Sequence, residues 1–192
     1  MKRRPTTIEL RNKENKDDFR RMKSVINCAS KDPTRPVLHH VLIETGKDEE
    51  TIQVTATDGR RLRTDHFDFE ASPGTYEIKA CSTKGIYLVK SKQKLKFPDH
   101  RQVLPSLRAK DVHQLTGRGN KFVLWASAAL GCRIDPALIE FAEDVSATLY
   151  IQKKSPELSP AVVQNDQTTL VVMPTRCTES WAQELETLRK AA

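Results

Sequence analysis

The pattern that most constrains this fold is one amphipathic helix followed by closely spaced strand patterns. Residues 17–29 repeat apolar side chains at intervals of three and four residues, which is the period of one helical face. Pro33 and Pro36 then end the helix and return the chain to extended geometry. A helix ahead of consecutive strands favours an α+β fold with antiparallel sheets over a doubly wound fold.

Four strand patterns follow the helix, each bounded by turn residues. The turn Asp58-Gly59 predicts a hairpin, because glycine accepts a positive φ without steric cost. Pro73-Gly74 predicts a second turn. The strands are expected over 37–44, 51–57, 61–69 and 75–80.

The middle of the chain has weaker periodicity. Segments 86–89 and 94–97 predict a basic hairpin, and the segment up to Asn120 is expected to be a loop. The apolar run 122–126 predicts a strand.

A second helix is predicted at Asp135-Pro136, where an N-cap acceptor precedes the residue best tolerated at the first helical position. Strands are then expected over 148–153, 161–164 and 169–173, and a last helix over 179–190. We predict one domain over 1–176, with a basic, insertion-like stretch at about 79–121, followed by a helical tail over 177–192.

The charge of the chain is unevenly distributed. Its 192 residues carry a formal charge of +7, but residues 79–121 hold 11 basic side chains against 2 acidic ones. Such a block is typical of a phosphate-binding surface, because cations near phosphates release condensed counterions. A solvated surface that maintains solubility is the alternative interpretation.

The cysteines and the apolar runs indicate the cellular compartment of the protein. The four cysteines are Cys28, Cys81, Cys132 and Cys177, at intervals of about fifty residues. Because these intervals are not those of metal ligands, we expect neither a zinc site nor a disulfide framework. The apolar runs are shorter than the roughly 18 residues of a membrane span. The basic start runs into polar residues, so we expect no secretory signal and a cytoplasmic protein.

An enzyme is the less favoured interpretation. Carboxylates and histidines of a metal-dependent nuclease could come from Asp58, Asp65, His66, Asp68, Asp99 and His100. Asp65 and Asp68 point to opposite faces of a regular strand, and Asp58 is explained by its turn. We therefore expect no catalytic residues, metal or cofactor.

Three separated motifs resemble the β subunit of bacterial DNA polymerase III, the replicative sliding clamp. The first is Arg-Pro-Val-Leu-His-His-Val-Leu-Ile-Glu at 35–44, leading to Thr-Ala-Thr-Asp-Gly-Arg-Arg-Leu at 55–62. The second is Phe-Pro-Asp-His-Arg-Gln-Val-Leu-Pro at 97–105, and the third is Leu-Val-Val-Met-Pro-Thr-Arg at 170–176. All three occur in the order of the family, which implies a DNA-clamp-like fold with two packed helices and, here, an appended C-terminal helix.

In the clamps these motifs line a pocket that accepts short linear peptides of polymerases and repair proteins. Carried over to this sequence, the resemblance implies a peptide-binding set of Leu38, Thr57, Gly59, Arg60, Arg61, Leu62, Pro98, Gln102, Val103, Val171, Met173, Pro174 and Arg176. Leu62, Val171 and Met173 are open to a second interpretation as ordinary core residues. Arg60 replaces a family histidine and Gln102 a family arginine, which implies an altered peptide preference.

The resemblance also implies sequence-independent contact with DNA and partners such as a DNA polymerase or other clamp-binding proteins. The residues expected to contact DNA are Lys16, Arg20, Lys23, Lys90, Lys92, Lys94 and Lys96. A family subunit is a series of three similar domains, whereas this chain has the length of little more than one. A homo-oligomeric ring would then need up to about six copies.

Two functions follow from these expectations. The first is a clamp-like processivity or recruitment factor in DNA replication or repair. The alternative is a clamp mimic that does not encircle DNA and acts as an adaptor or decoy for clamp-binding peptides.

Overall fold

A computed structural model describes residues 4–46, 50–93, 95–139 and 146–175. The fold is α+β, as predicted, and the paired strands are antiparallel. Contacts group the chain into two compact units, the first formed by 1–102 with 164–171 and the second by 103–163 with 172–192. The single domain over 1–176 stays a prediction.

The described residues contain ten strands and two α-helices. The helices are α1 (Lys16–Asn27) and α2 (Gly119–Ala129). The strands are β1 (Thr7–Arg11), β2 (His40–Thr45), β3 (Ile52–Thr57), β4 (Arg61–Phe67), β5 (Gly74–Cys81), β6 (Gly85–Lys90), β7 (Val112–Arg118), β8 (Ser146–Gln152), β9 (Ala161–Gln164) and β10 (Thr168–Val172).

Helix α1 confirms the predicted amphipathic helix and organises the core of the first unit. Asn15 caps it by accepting a hydrogen bond from the Asp18 amide at 3.2 Å. Its buried side chains pack on strands β1, β3, β4, β5 and β6, and they are Phe19, Met22, Val25 and Ile26. This burial explains why the helix forms at this place in the chain, since most helical stability comes from packing of one apolar face.

The strand register divides the first unit's sheet into two faces. Ile52 pairs with Phe67 and Val54 with Asp65, and these side chains lie on the face that α1 covers. Because side chains alternate along a strand, the residues between them point to the opposite face. That face carries Thr57 opposite Leu62, and Thr55 bonded to Thr64 between their hydroxyl oxygens at 3.0 Å.

A buried ion pair lies on the α1 face of β4. The Arg63 guanidinium donates to Asp65 through Nε and Nη2 at 3.2 and 3.1 Å, and their side chains are 6% and 0% exposed. Arg21 of α1 stacks its guanidinium 4.7 Å from the centroid of the Phe67 ring and donates to the His66 carbonyl. These contacts tie α1 to β4.

The second unit contains β7, α2, β8 and β9. Strands β7 and β8 pair along their whole length, from Val112 opposite Gln152 to Arg118 opposite Ser146. Helix α2 packs on both strands. The Phe122 ring lies against Gly117, where a Cβ would come within 2.4 Å of the ring, so a larger residue there would force the ring to move.

Three predictions for the middle of the chain are wrong. The expected basic hairpin does not form, because segment 86–89 belongs to β6, which pairs with β1 and β5. The expected loop before Asn120 contains β7. The expected strand 122–126 is part of α2. The buried residues of this helix include Val123, Ala126 and Ser127, and the last two follow Val123 by three and four residues, so all three lie on one helical face.

The predicted start of the second helix is confirmed, but its length is not. Asp135 caps the turn by accepting from the Ala137 amide at 3.0 Å. The turn is a 3-10 helix over Pro136–Leu138, and Ile139 is extended. Residues 140–145 and the predicted tail 177–192 lie outside the described residues.

The predicted strand 37–44 is half correct. A 3-10 helix occupies Pro36–His39, and β2 begins only at His40. The proline is the cause, since its fixed φ suits the first helical position and it has no N–H to donate to a strand. In the parts of the chain that the structure describes, no helix is long and apolar enough to cross a membrane.

Candidate functional site

The turn between β3 and β4 is held by its own side chains. The Asp58 carboxylate accepts from the amides of Arg60 and Arg61 at 2.8 and 3.0 Å. The Thr57 hydroxyl donates to the Arg61 carbonyl at 2.7 Å. Gly59 has a φ of +89°, and a Cβ there would lie 3.0 Å from Arg35 Nη1. The turn is therefore well defined and requires glycine.

Arg61 connects this turn to the end of α1. Its Nε donates to Asp58 Oδ2 at 3.2 Å, and its Nη2 donates to the carbonyl of Asn27, the last residue of α1, at 2.6 Å. A cation is favourable there because the helix dipole is negative at its C-terminal end. Only 14% of the Arg61 side chain is exposed, so its bonds position the turn against the helix.

The Phe-Pro-Asp-His-Arg-Gln segment is anchored to β2 through one carboxylate. Glu44 accepts from Arg101 Nη2 at 2.8 Å, and its second oxygen lies 3.5 Å from His100 Nε2. Asp99 orders the segment by accepting from the Arg101 amide at 3.2 Å and from Gln102 Nε2 at 3.1 Å. These bonds hold the segment on the sheet.

Two of the three motifs meet on the same face of the first unit. Leu42 of β2 pairs with Thr55 of β3, so Leu42 and Glu44 share the face of Thr57 and Leu62. Segment 97–102 is bound to Glu44 on this face, opposite the face covered by α1. Thr57, Leu62 and segment 97–102 therefore lie on one side of the sheet, whereas Arg61 binds on the α1 side.

The predicted peptide-binding residues differ in exposure. Leu62 and Val171 are buried, at 4% and 3% exposure, whereas Leu38, Thr57 and Arg61 are half-buried. Four more are exposed in the first unit, and these are Gly59, Arg60, Pro98 and Gln102. The peptide-binding role of this set stays a prediction.

The remaining predicted residues belong to the second unit. Val103 and Met173 are 48% and 41% exposed, and Pro174 is half-buried. The Thr175 amide donates to the Arg133 carbonyl at 2.8 Å, which anchors the segment that follows β10 and carries Met173. Arg176 lies outside the described residues.

The predicted DNA-binding residues form one ordered stripe and one irregular group. Lys16, Arg20 and Lys23 lie at helical spacing on the side of α1 away from the core. Lys90 instead donates to Ser72 Oγ at 2.8 Å. Lys92 and Lys96 are exposed beyond β6, and Lys94 lies outside the described residues.

The candidate catalytic residues have structural partners. Asp58 orders its turn, Asp65 is paired with Arg63, and Asp99 orders its segment. Among the described residues, no three His, Cys, Asp or Glu side chains are grouped as a metal ion would require. Cys28, Cys81 and Cys132 are thiols that form no disulfide, and burial raises the pKa of Cys132 to about 11.

Sequence reasoning missed Glu44 and the carbonyl of Asn27 as parts of this site. Glu44 is the last residue of the 35–44 part of the first motif, but its residue type does not show what it binds, and a backbone carbonyl has no residue type. Their importance depends on which distant residues, Arg101 and Arg61, the fold places beside them.

A shallow surface cleft lies elsewhere in the first unit. It has a volume of about 490 Å³ and lies beside β1 and β6, lined by Glu9, Arg11, Ala80, Ser82, Lys84, Gly85, Ile86 and Tyr87. Glu9 accepts from Arg11 Nε at 2.9 Å within it. None of the predicted site residues lines this cleft.

The buried His100 predicts a pH-dependent stability. Burial lowers the pKa of His100, although Glu44 opposes the shift. The unfolded chain therefore binds a proton more readily, so stability is lost as the pH falls below the ordinary histidine pKa of about 6.5. Urea unfolding at about pH 7.5 and about pH 5.5 should show a smaller pH effect in His100→Asn than in the wild type. An equal effect of pH on the stability of the variant and of the wild type would show that His100 is not the cause.

The fold has counterparts among solved structures. A protein of Eubacterium rectale ATCC 33656 described as a DNA polymerase III beta subunit matches with a TM-score of 0.58 and 8% identity, over 92% of this chain and 67% of that one. The DNA polymerase sliding clamp of Bacillus subtilis matches with a TM-score of 0.56 and 11% identity, over 93% and 67%. The sliding clamp of Pseudomonas aeruginosa matches with a TM-score of 0.54 and 15% identity, over 92% of this chain and 68% of that one.

This chain therefore has the fold of the bacterial sliding clamps, and the resemblance of its motifs is confirmed at the level of the fold. No protein-family model and no curated protein matches the sequence.

Proposed function

We propose that this chain is a clamp-type processivity or recruitment factor, a binding protein and not an enzyme. It would bind short linear peptides of replication or repair proteins and contact DNA through backbone phosphates. A DNA polymerase or another clamp-binding protein would be its partner, in the cytoplasm.

The observation that carries this proposal is the collection of two motifs on one face of the first unit. Thr57 and Leu62 are cross-strand neighbours there, and Glu44 holds segment 97–102 on the same face. Two independent sets of bonds thus fix the turn and the segment in advance of binding. Preformed surfaces lose less conformational entropy on binding, which favours a docking role.

Exposed apolar side chains in the second unit support a peptide contact. Val103 and Met173 expose 48% and 41% of their surface, although each is a large apolar residue. Methionine packs adaptably around varied ligands, which suits a surface that accepts several peptides.

Contact with DNA is supported by the α1 stripe. Lys16, Arg20 and Lys23 are presented together on one side of one helix, whose first turn also carries Asp17 and Asp18. Side chains of this kind bind phosphates irrespective of base sequence.

The number of units bears on the proposed assembly. The resemblance implies family subunits of three similar domains, whereas this chain covers 67% of the Eubacterium rectale chain and forms two compact units. If each unit corresponds to one family domain, three copies supply six units. If the chain is one domain, as the sequence predicts, a six-domain ring requires six copies.

Binding of a fluorescent peptide containing Gln-Leu-x-Leu, the kind of peptide that the clamps bind, tests the peptide site. Met173→Ala and Val103→Ala should each weaken binding about tenfold, as expected for an exposed apolar anchor. The matched control is Leu158→Ala, which removes another exposed apolar side chain of the second unit. Absence of binding to the wild type, or equal losses in the control, would refute the peptide site.

The alternative function is a clamp mimic that binds peptides without encircling DNA. One observation favours it: α2 carries a single charged residue, Lys121, unlike the basic stripe of α1. Mass measurement and DNA retention separate the two functions. A particle of three or six times the 21.8 kDa chain mass, retained on circular but not linear DNA, supports the clamp. A monomer that binds peptide but not DNA supports the mimic.

A further inference from the structure

Trp125 of α2 is unusually exposed. It is 74% exposed, more than any other large apolar side chain among the described residues. Lys121 and Trp125 are four residues apart and therefore adjacent on the helix surface, and Arg118 at the N-cap is one further turn away. The exposed stripe of α2 thus consists of two cations followed by an indole.

Packing within the second unit does not require this tryptophan. Helix α2 contacts β7 and β8 through its other side, where Val123, Ala126 and Ser127 are buried. Phe122 packs separately on Gly117. The indole is therefore presented to solvent by a helix that is stabilised without it.

Two cations lie near Trp125, one on α2 and one at its N-cap. The sequences of β7, α2, β8 and β9 contain Arg118 and Lys121 but no Asp or Glu. The first turn of α2 has no acidic residue, so the positive end of the helix dipole adds to these cations. An aromatic face beside two cations complements a polyanion that carries flat, stackable groups.

We propose that Arg118, Lys121 and Trp125 form a docking site for single-stranded nucleic acid. One base stacks on the indole, and the cations contact the flanking phosphates. Arg118 and Trp125 are about 10 Å apart along the helix axis, which suits one or two nucleotides. A duplex is a poor ligand because its base faces are already stacked on each other. This site goes beyond the proposed function, whose DNA contacts use α1 and no base.

Fluorescence of Trp125 tests the proposal directly. The other tryptophan of the chain is Trp181, so Trp181→Phe leaves Trp125 as the only indole reporter. Titration with oligothymidine should quench its emission, because a stacked base is in contact with the ring. A duplex of equal length and heparin, a polyanion without bases, should quench it far less. Failure of oligothymidine to quench at saturation would overturn the proposal.

Two variants separate stacking from apolar contact. Trp125→Phe keeps an aromatic ring and should retain most of the affinity for oligothymidine. Trp125→Leu keeps apolar bulk without a ring and should weaken binding about tenfold. Equal affinity of these variants would contradict stacking. If the emission of Trp125 changes with protein concentration in the absence of oligothymidine, a second copy of the chain covers this surface. That result would also overturn the proposal.

The cations have their own test. The double variant Arg118→Gln with Lys121→Gln should reduce the salt slope of binding by about 1.4, since each single-strand phosphate contact contributes about 0.7. Leu158→Ala is the matched control and should change neither quenching nor slope. An unchanged slope in the double variant would overturn the assignment of the phosphate contacts. Peptide binding is measured in a separate experiment. Failure of the nucleic-acid site can therefore be told apart from failure of the proposed peptide-binding function.

Discussion

Replacing Asp65 with alanine is expected to lower the free energy of unfolding by about 3–5 kcal/mol. The reason is that the Arg63 side chain, 6% exposed, would lose the carboxylate to which it donates two hydrogen bonds. Arg21 would also lose the Asp65 oxygen that lies 3.9 Å from its Nε. Urea unfolding followed by circular dichroism measures the loss.

Asp68 provides the matched control for this experiment. It is exposed immediately after β4, so Asp68→Ala should change the free energy of unfolding by less than about 0.5 kcal/mol. The double variant Arg63→Met with Asp65→Leu removes both charges and should recover part of the lost stability. If Asp65→Ala were as stable as the wild type, the ion pair would not contribute to the fold as described.

Replacing Glu44 with alanine is expected to weaken binding of the Gln-Leu-x-Leu peptide by about tenfold or more. Glu44 accepts from Arg101 and lies beside His100, so its loss releases segment 97–102 from β2. The first unit should remain folded, because its core packs on the opposite face of the sheet. Fluorescence polarisation measures peptide binding, and hydrogen exchange measures release of the segment.

Glu77 is the control for a surface ion pair on a neighbouring strand. It pairs with Lys79 at the surface, and Glu77→Ala should leave both peptide affinity and segment protection unchanged. Faster exchange in segment 97–102 with unaltered peptide affinity would show that the segment does not contribute to the peptide site.

Elements with strong local patterns were predictable from the sequence. The period of α1, the extent of β9 and the Asp58-Gly59 turn each depend on a few neighbouring residues. Helix α2 was not predictable in this way. Its run Phe-Val-Leu-Trp is rich in residues that favour strands, and it became a helix because Val123, Ala126 and Ser127 pack on a sheet formed by distant strands.

The candidate site shows the same division. The motifs identified Thr57, Arg61 and segment 97–105, because each motif is a short stretch of particular residue types. The contact of Arg61 with the Asn27 carbonyl and that of Arg101 with Glu44 were not predictable. They join residues 34 and 57 positions apart, and no local pattern records such a distance.

The sequence by itself determined the α+β class, the amphipathic helix, the hairpin turn and the motifs that resemble the clamps. These depend on periodicity and turn chemistry, which act between near neighbours. Only the tertiary structure decided that α2 is a helix, that Glu44 anchors segment 97–102, and that Trp125 is exposed beside two cations. The physical reason is that burial and pairing are set by which surfaces meet in the fold.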